Sequence, residues 1–255
     1  VASVEGGGLT VHFIGAGPGA PDLLTLRGQR LVATSPVCLY AGALVGPEVL
    51  EHTPAGARLV DTQGLDLDAI VAELGAAHRR GEEVARLQSG DLSIWSAVAE
   101  QARRLDELEI PWDLTPGVPA FAAAAASLRQ ELTLPGVAQT VILTRYARRA
   151  TPMPPGEELE ALATHRTTLV LHLAAQAVDE VVATLAPHYG ADCPTAVVAR
   201  ASCPDELVLR GTLATIAEEA ARAGVRRSAV ILVGPALAAG DFGESHLYSP
   251  TRSRR

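Results

Sequence analysis

The sequence predicts an α/β protein built as two α/β domains, and three observations carry that expectation. Strand candidates recur at 11–14, 37–40, 58–60, 84–88 and 112–114, and again at 140–144, 168–172, 195–200 and 230–233. Helical patterns occupy several of the intervals, the alternation that builds a parallel sheet with helices on its faces. The chain of 255 residues, 48% of them hydrophobic, is long enough for one large domain or for two of about 120 residues each. Aromatics make up only 4%, so Ala, Val and Leu must fill the core.

The glycine-rich residues 1–9 read as a lead-in. The run 11–14 ends in the turn Gly15-Ala16-Gly17-Pro18-Gly19, and a helix is expected over 23–33. Strands at 37–40 and 58–60 follow, then a helix over 65–80, a strand at 84–88, a helix over 97–108 and a strand at 112–114. A boundary falls at 115–119, ahead of the alanine-rich helix 120–128. In the second set, helices at 175–186 and 213–223 separate the strands, and 206–210 reads as a hairpin-like strand. The expected domains are therefore 10–117 and 118–245, with tails at 1–9 and 246–255 and a ligand cleft between the domains.

Several classes are disfavoured. No apolar run approaches the roughly 20 residues of a membrane span. No charged segment followed by an apolar one opens the chain, so no signal peptide is expected. Cys38, Cys193 and Cys203 are scattered and odd in number, which suits a reducing, cytoplasmic setting better than a disulfide framework. Neither they nor the seven histidines show metal-ligand spacing, so no metal site is assigned. His172, within an apolar run, reads as a buried, hydrogen-bonded residue rather than a base. A net charge of −8 argues against a nucleic-acid surface.

Three turns carry the candidate chemistry. Gly15, Gly17 and Ala20 fit the dinucleotide fingerprint G-x-G-x-x-A, and loops of this kind lie where open α/β sheets bind ligands. That fingerprint also needs an acidic residue at the end of the second strand, where this chain has Ala41 and Gly42, and Pro18 offers no N–H to a phosphate. A tight turn without a ligand is the alternative. In Ser89-Gly90-Asp91-Leu92-Ser93-Ile94-Trp95-Ser96, the Asp either faces a ligand or caps a helix starting near Ser93 or Trp95, and the two roles are compatible. Thr115-Pro116-Gly117-Val118-Pro119-Ala120 opens a helix of small residues, which suits close approach of a flat ligand or a well-packed linker.

Taken together and in order, these segments resemble the tetrapyrrole (corrin/porphyrin) methylase family. The resemblance rests on FIGAGPGAPDLLTLRG at 13–28, LYAGALVGPEVL at 39–50, SGDLSIWSA at 89–97, TPGVPAFAAAAASL at 115–128 and ELTLPGVAQTVILTR at 131–145, and it covers roughly 10–245. YAGALV and ELTLPGVAQTVILTR point to the branch that methylates carbon 11 of precorrin-4 in cobalamin biosynthesis. Many relatives read G-D-P-x-x-Y-G where this chain has residues 90–96, a departure that resembles the oxygen-dependent, cobalt-free branch. Sister enzymes acting on uroporphyrinogen carry an Asp at the position of Ala41, which speaks against that activity here.

The resemblance implies S-adenosylmethionine as methyl donor, S-adenosylhomocysteine as product, no metal and a homodimer. It implies donor contacts at Pro18, Ser89, Gly90, Asp91, Ile94, Pro119, Ala120, Leu173, Ala196 or Ala201, and Ala229. Arg145, Tyr146 and Arg148 follow a strand and suit the many carboxylates of such a substrate, with a solvated loop surface as the plainer reading. No catalytic base stands out, Asp91, Tyr40 and Tyr146 being the candidates. Other readings stay open: a cobalt-containing substrate or another ring carbon, a dinucleotide-linked oxidoreductase, and a non-catalytic tetrapyrrole carrier.

Overall fold

The structure is a computed structural model that describes residues 9–147, 151–240 and 242–245. Its contacts divide the chain into two compact units, Val1–Ala120 and Phe121–Arg255.

The first unit runs β1 (Val11–Gly15), α1 (Leu26–Thr34), β2 (Val37–Tyr40), α2 (Pro47–Leu50), β3 (Arg58–Asp61), α3 (Leu67–Arg79), β4 (Val84–Gln88), α4 (Val98–Glu107) and β5 (Trp112–Thr115). The sheet order is β3-β2-β4-β1-β5 with every pairing parallel. Side chains alternate across it. Val11 and Phe13 of β1 pack with Leu74, Ala77 and Leu105 of α3 and α4, while Ile14 packs with Val32 of α1 and Val49 of α2. Both faces are thus covered, as a parallel sheet requires. Fully buried leucines such as Leu39, Leu74, Leu87 and Leu105 each contribute about 1.5–3 kcal/mol. The connection from β1 to β2 leaves in one direction and that from β4 to β5 in the other. The carboxyl ends of the neighbouring strands β1 and β4 therefore form a topological switch point, where such sheets bind ligands.

The expected helix 97–108 is α4, and it starts at Val98, not near Ser93 or Trp95. Ala97 before it is left-handed, with φ of 55°, and no side chain caps the helix. Asp91 is therefore not a helix cap. The helix expected over 23–33 begins at Leu26, capped by the Thr25 hydroxyl, which accepts the Gly28 N–H at 3.1 Å, and a 3₁₀ turn at Pro21–Leu23 precedes it.

The second unit contains most of α5 (Ala120–Leu128), then β6 (Val141–Arg145), α6 (Leu159–Ala163), β7 (Thr168–His172), α7 (Val178–Tyr189), β8 (Pro194–Ala199), β9 (Leu207–Thr212), α8 (Ile216–Arg222) and β10 (Ala229–Val233). Its sheet order is β6-β7-β10-β8-β9. β6 and β7 pair in parallel, whereas β10 is antiparallel to both β7 and β8, and β8 and β9 form the expected antiparallel hairpin. The short connection between β8 and β9 reverses the chain where a helical crossover would preserve its direction. The sheet is mixed for that reason. One face packs Leu169, Leu171, Val197 and Ile231 against Leu159, Val181, Leu185 and Ile216.

Among the described residues, no helix is long and apolar enough to cross a membrane, and no group of three or more His, Cys, Asp or Glu could hold a metal ion.

Candidate functional site

At the switch point of the first unit, the three turns after β1, β4 and β5 are knit together through their backbones. The Ala16 N–H donates to the Gln88 carbonyl at 2.8 Å. Gly17 and Gly90 exchange a pair of bonds, Gly17 N–H to Gly90 O at 3.2 Å and Gly90 N–H to Gly17 O at 2.6 Å. A Cβ on Gly15 would lie 2.5 Å from the Gly117 nitrogen and 2.7 Å from the Gly90 carbonyl oxygen, and a Cβ on Gly117 would strike that same oxygen. Gly15 and Gly117 are glycines because three loop backbones meet there, a reason separate from any ligand.

Asp91 fastens the third turn to the second. One carboxylate oxygen accepts the Gly117 N–H at 2.9 Å, and the other accepts the Ser93 N–H at 2.9 Å and the Ser93 hydroxyl. Burial works against its charge, but the donors from Ser93, Gly117 and Leu92 outweigh it and hold the carboxyl below its ordinary value. Asp91 is thus ionised and ties the two turns together.

The lip of this edge is open. Pro18, Ser89, Ile94, Pro119 and Ala120 are partly exposed around it. Gly90 has φ of 68°, and the direction in which a Cβ would point is empty as far as the Ala120 nitrogen at 3.9 Å, a cradle that a side chain would fill. Gln88, 6% exposed at the end of β4, has its side-chain carbonyl oxygen buried without a partner among the described residues. Trp95, left-handed with φ of 49° and 42% exposed, stands on the same loop. Backbone donors and acceptors, small side chains and one ionised carboxylate suit a small cationic ligand with an aromatic ring. They do not suit a pyrophosphate, which needs converging N–H groups.

In the second unit the carboxyl ends of β6 and β7 share an edge with the start of β10. Arg145 is opposite His172, and Ala229 is opposite Ala199. Leu173, just past β7, is 67% exposed and left-handed with φ of 56°, and Arg200, Ser202 and Ser228 at this edge are left-handed too. Such backbone strain concentrates at ligand-binding edges. Ala201 and Ala229 lie at this edge, next to Arg200 and Ser228, whose N–H and carbonyl form a hydrogen bond at 2.8 Å. Ala196 does not. It sits inside β8, opposite Leu232 and Arg210, and is buried.

Arg145 donates from Nη2 to the Thr151 carbonyl at 2.7 Å, while its Nη1 is buried with no hydrogen-bond partner among the described residues. Tyr146 donates its hydroxyl to Glu180 at 3.0 Å, and Tyr40 packs beside the cluster of Val32, Cys38 and Val49. Arg148 lies outside the described residues. His172 is partly buried, and burial pushes its imidazole down to about 4, so it is neutral at physiological pH.

Comparison with known proteins accords with this geometry. The family model described as Tetrapyrrole (Corrin/Porphyrin) Methylases matches residues 10–217. A Sinorhizobium protein named precorrin-4 C(11)-methyltransferase is 56% identical over 247 residues, 97% of this chain and 98% of that protein. Among solved structures, a cobalt precorrin-4 methyltransferase of cobalamin biosynthesis superposes with a TM-score of 0.89 at 35% identity, covering 93% of this chain and 100% of the other. The uroporphyrin-III C-methyltransferase of Thermus thermophilus complexed with S-adenyl homocysteine gives a TM-score of 0.72 at 29% identity, covering 89% and 93%. With the family model matched over most of its length and a relative 56% identical across nearly all of it, the chain belongs to the tetrapyrrole methylase family.

Proposed function

We propose that the chain transfers a methyl group from S-adenosylmethionine to carbon 11 of precorrin-4, giving precorrin-5, in the oxygen-dependent branch of cobalamin biosynthesis. The observation that carries this reading is the backbone-knit, carboxylate-clamped edge formed by residues 15–18, 89–94 and 116–120 in a chain 56% identical to a protein named for that reaction. The lower identity, 35%, to the cobalt precorrin-4 enzyme favours the cobalt-free substrate. A homodimer, a cytoplasmic location and the absence of a resident metal belong to the same reading.

The donor supplies a methyl group already activated on a sulfonium. The residues that would hold it in the first unit are Pro18, Ser89, Gly90, Asp91, Ile94, Pro119 and Ala120, largely through backbone groups. The open cradle above Gly90 and the orphaned Gln88 oxygen fit such a ligand. In the second unit this reading assigns Leu173, Ala201 and Ala229 to the donor, and Arg145 and Tyr146 to the substrate. The buried, unpaired Nη1 of Arg145 suits a substrate carboxylate.

The protein's contribution is orientation and exclusion of water rather than base catalysis. Asp91 is held ionised by its loop donors, and the hydroxyl of Tyr146 is engaged by Glu180. Thermal denaturation with ligands tests the donor. S-adenosylhomocysteine should raise the melting temperature while NAD and FAD leave it unchanged, since a ligand bound only by the native state stabilises it. Stabilisation by NAD or FAD alone would replace this reading with a dinucleotide enzyme.

A further inference from the structure

Arg86 lies on the central strand β4, between Phe13 of β1 and Leu39 of β2 in register, and is 4% exposed. Among the described residues no carboxylate pairs with it. Its Nε donates to the Gln101 side-chain oxygen at 3.1 Å, and its Nη1 donates to the Leu87 carbonyl at 3.1 Å. Burial lowers its pKa to about 10, which leaves it charged at neutral pH. Gln101, equally buried, donates from Nε2 to the carbonyl of Ala97 at 3.0 Å. Ala97 is the left-handed residue that ends the 89–97 loop, and no side chain caps the helix it opens.

A buried cation without a counter-charge is a poor stabiliser, and an apolar residue of similar volume in its place is often neutral or stabilising. Stability alone therefore gives no reason for an arginine here. The hydrogen-bond path gives one. It runs from the Leu87 carbonyl, one residue from the end of β4, through Arg86 and Gln101 to the Ala97 carbonyl. The near end of the loop is fixed by the Gly17–Gly90 bonds and by Asp91. The far end is held by the first turn of α4, which this path ties to β4.

We infer that Arg86 and Gln101 are positioning residues that hold the 89–97 loop in its donor-binding shape. The inference rests on the proposal that this loop receives S-adenosylmethionine. Neither residue need touch the donor; both act through Ala97.

The test uses two variants of the full chain, Arg86→Met and Gln101→Glu. Gln101→Glu keeps an acceptor for Arg86 but offers no side-chain donor to the Ala97 carbonyl. Hydrogen exchange is followed in the ligand-free protein, and S-adenosylhomocysteine affinity is measured by calorimetry. The expected result for Arg86→Met is a melting temperature at or above that of the wild type, with amides of 89–97 exchanging about tenfold faster and those of β1 unchanged. Ligand affinity should fall about tenfold, and KM for the donor should rise by more than kcat falls. Gln101→Glu should repeat the exchange and affinity losses, and it decides the matter if Arg86→Met does not fold. Wild-type exchange over 89–97 in a folded variant would overturn the inference. A wild-type protein that fails to bind S-adenosylhomocysteine would instead overturn the donor reading, with the exchange result still deciding the tether.

Discussion

The Asp91 carboxylate accepts the backbone N–H of Gly117 at 2.9 Å and so joins the turn after β4 to the turn after β5. The Ser93 N–H and hydroxyl occupy its other oxygen. An asparagine there presents one amide group that donates, and it must face an N–H or a hydroxyl already donating. Asp91→Asn is expected to lose about 1–3 kcal/mol of stability and to bind S-adenosylhomocysteine more weakly. Calorimetry and chemical denaturation check both. Unchanged affinity with near-abolished turnover would give Asp91 a chemical role instead of an architectural one.

Gly15 and Gly117 leave no space for a methyl group, because the obstacles are backbone atoms that cannot rotate away. Gly117→Ala should cost at least about 1–3 kcal/mol through overpacking and should separate the loops that hold the donor. A denaturant melt compares it with Gly56→Ala, where nothing lies within 4 Å and the backbone φ of 82° supplies the only penalty. Equal losses would remove the three-loop contact from the account.

Two histidines bend the stability curve in opposite directions. His172 has a folded value of about 4 against an ordinary 6.5, so its neutral form is favoured by folding; stability is complete above 6.5 and declines as pH falls towards 4. For His12, burial opposes the charge, but Asp113 at 3.0 Å and Glu83 at 2.8 Å outweigh it and raise the value. Its contribution is present below 6.5 and is lost as pH rises through the raised value. His172→Gln should therefore lose less melting temperature than the wild type between pH 6.5 and 4. His12→Gln should flatten the neutral-to-alkaline side. Curves parallel to wild type in both would contradict the assignments.

Arg145 offers a buried Nη1 with no partner among the described residues beside an Nη2 anchored to Thr151. Arg145→Met should raise KM for precorrin-4 by about tenfold to a hundredfold, the worth of a charge-assisted hydrogen bond, with S-adenosylhomocysteine affinity unchanged. Steady-state kinetics with each substrate varied separates the two. A change confined to the donor would move Arg145 out of the substrate site.

The strands were legible because strands buried on both faces read as short, mostly apolar runs, as 84–88 and 168–172 do. The short helices α2 (Pro47–Leu50) and α6 (Leu159–Ala163) were not, since a turn or so of helix carries no amphipathic period. Pro18, Gly90 and Asp91 stood out by their turn chemistry. The Gly15–Gly117 contact did not, because it depends on β5 lying beside β1, and strand order is absent from local pattern. Arg86 was silent for a related reason. One arginine inside an apolar run looks like noise until the strand is seen to be central and covered by α4. The placement of Ala196 inside β8 rather than at its end was likewise a matter of register.

The central claim is methyl transfer to a defined ring carbon. Incubation of the protein with precorrin-4 and S-adenosylmethionine carrying a ¹³C-labelled methyl group, followed by NMR of the product, tests it most directly. The account predicts one new labelled methyl resonance, coupled to carbon 11. Label at another ring carbon, or label that stays on the donor while the protein binds the tetrapyrrole, would contradict it.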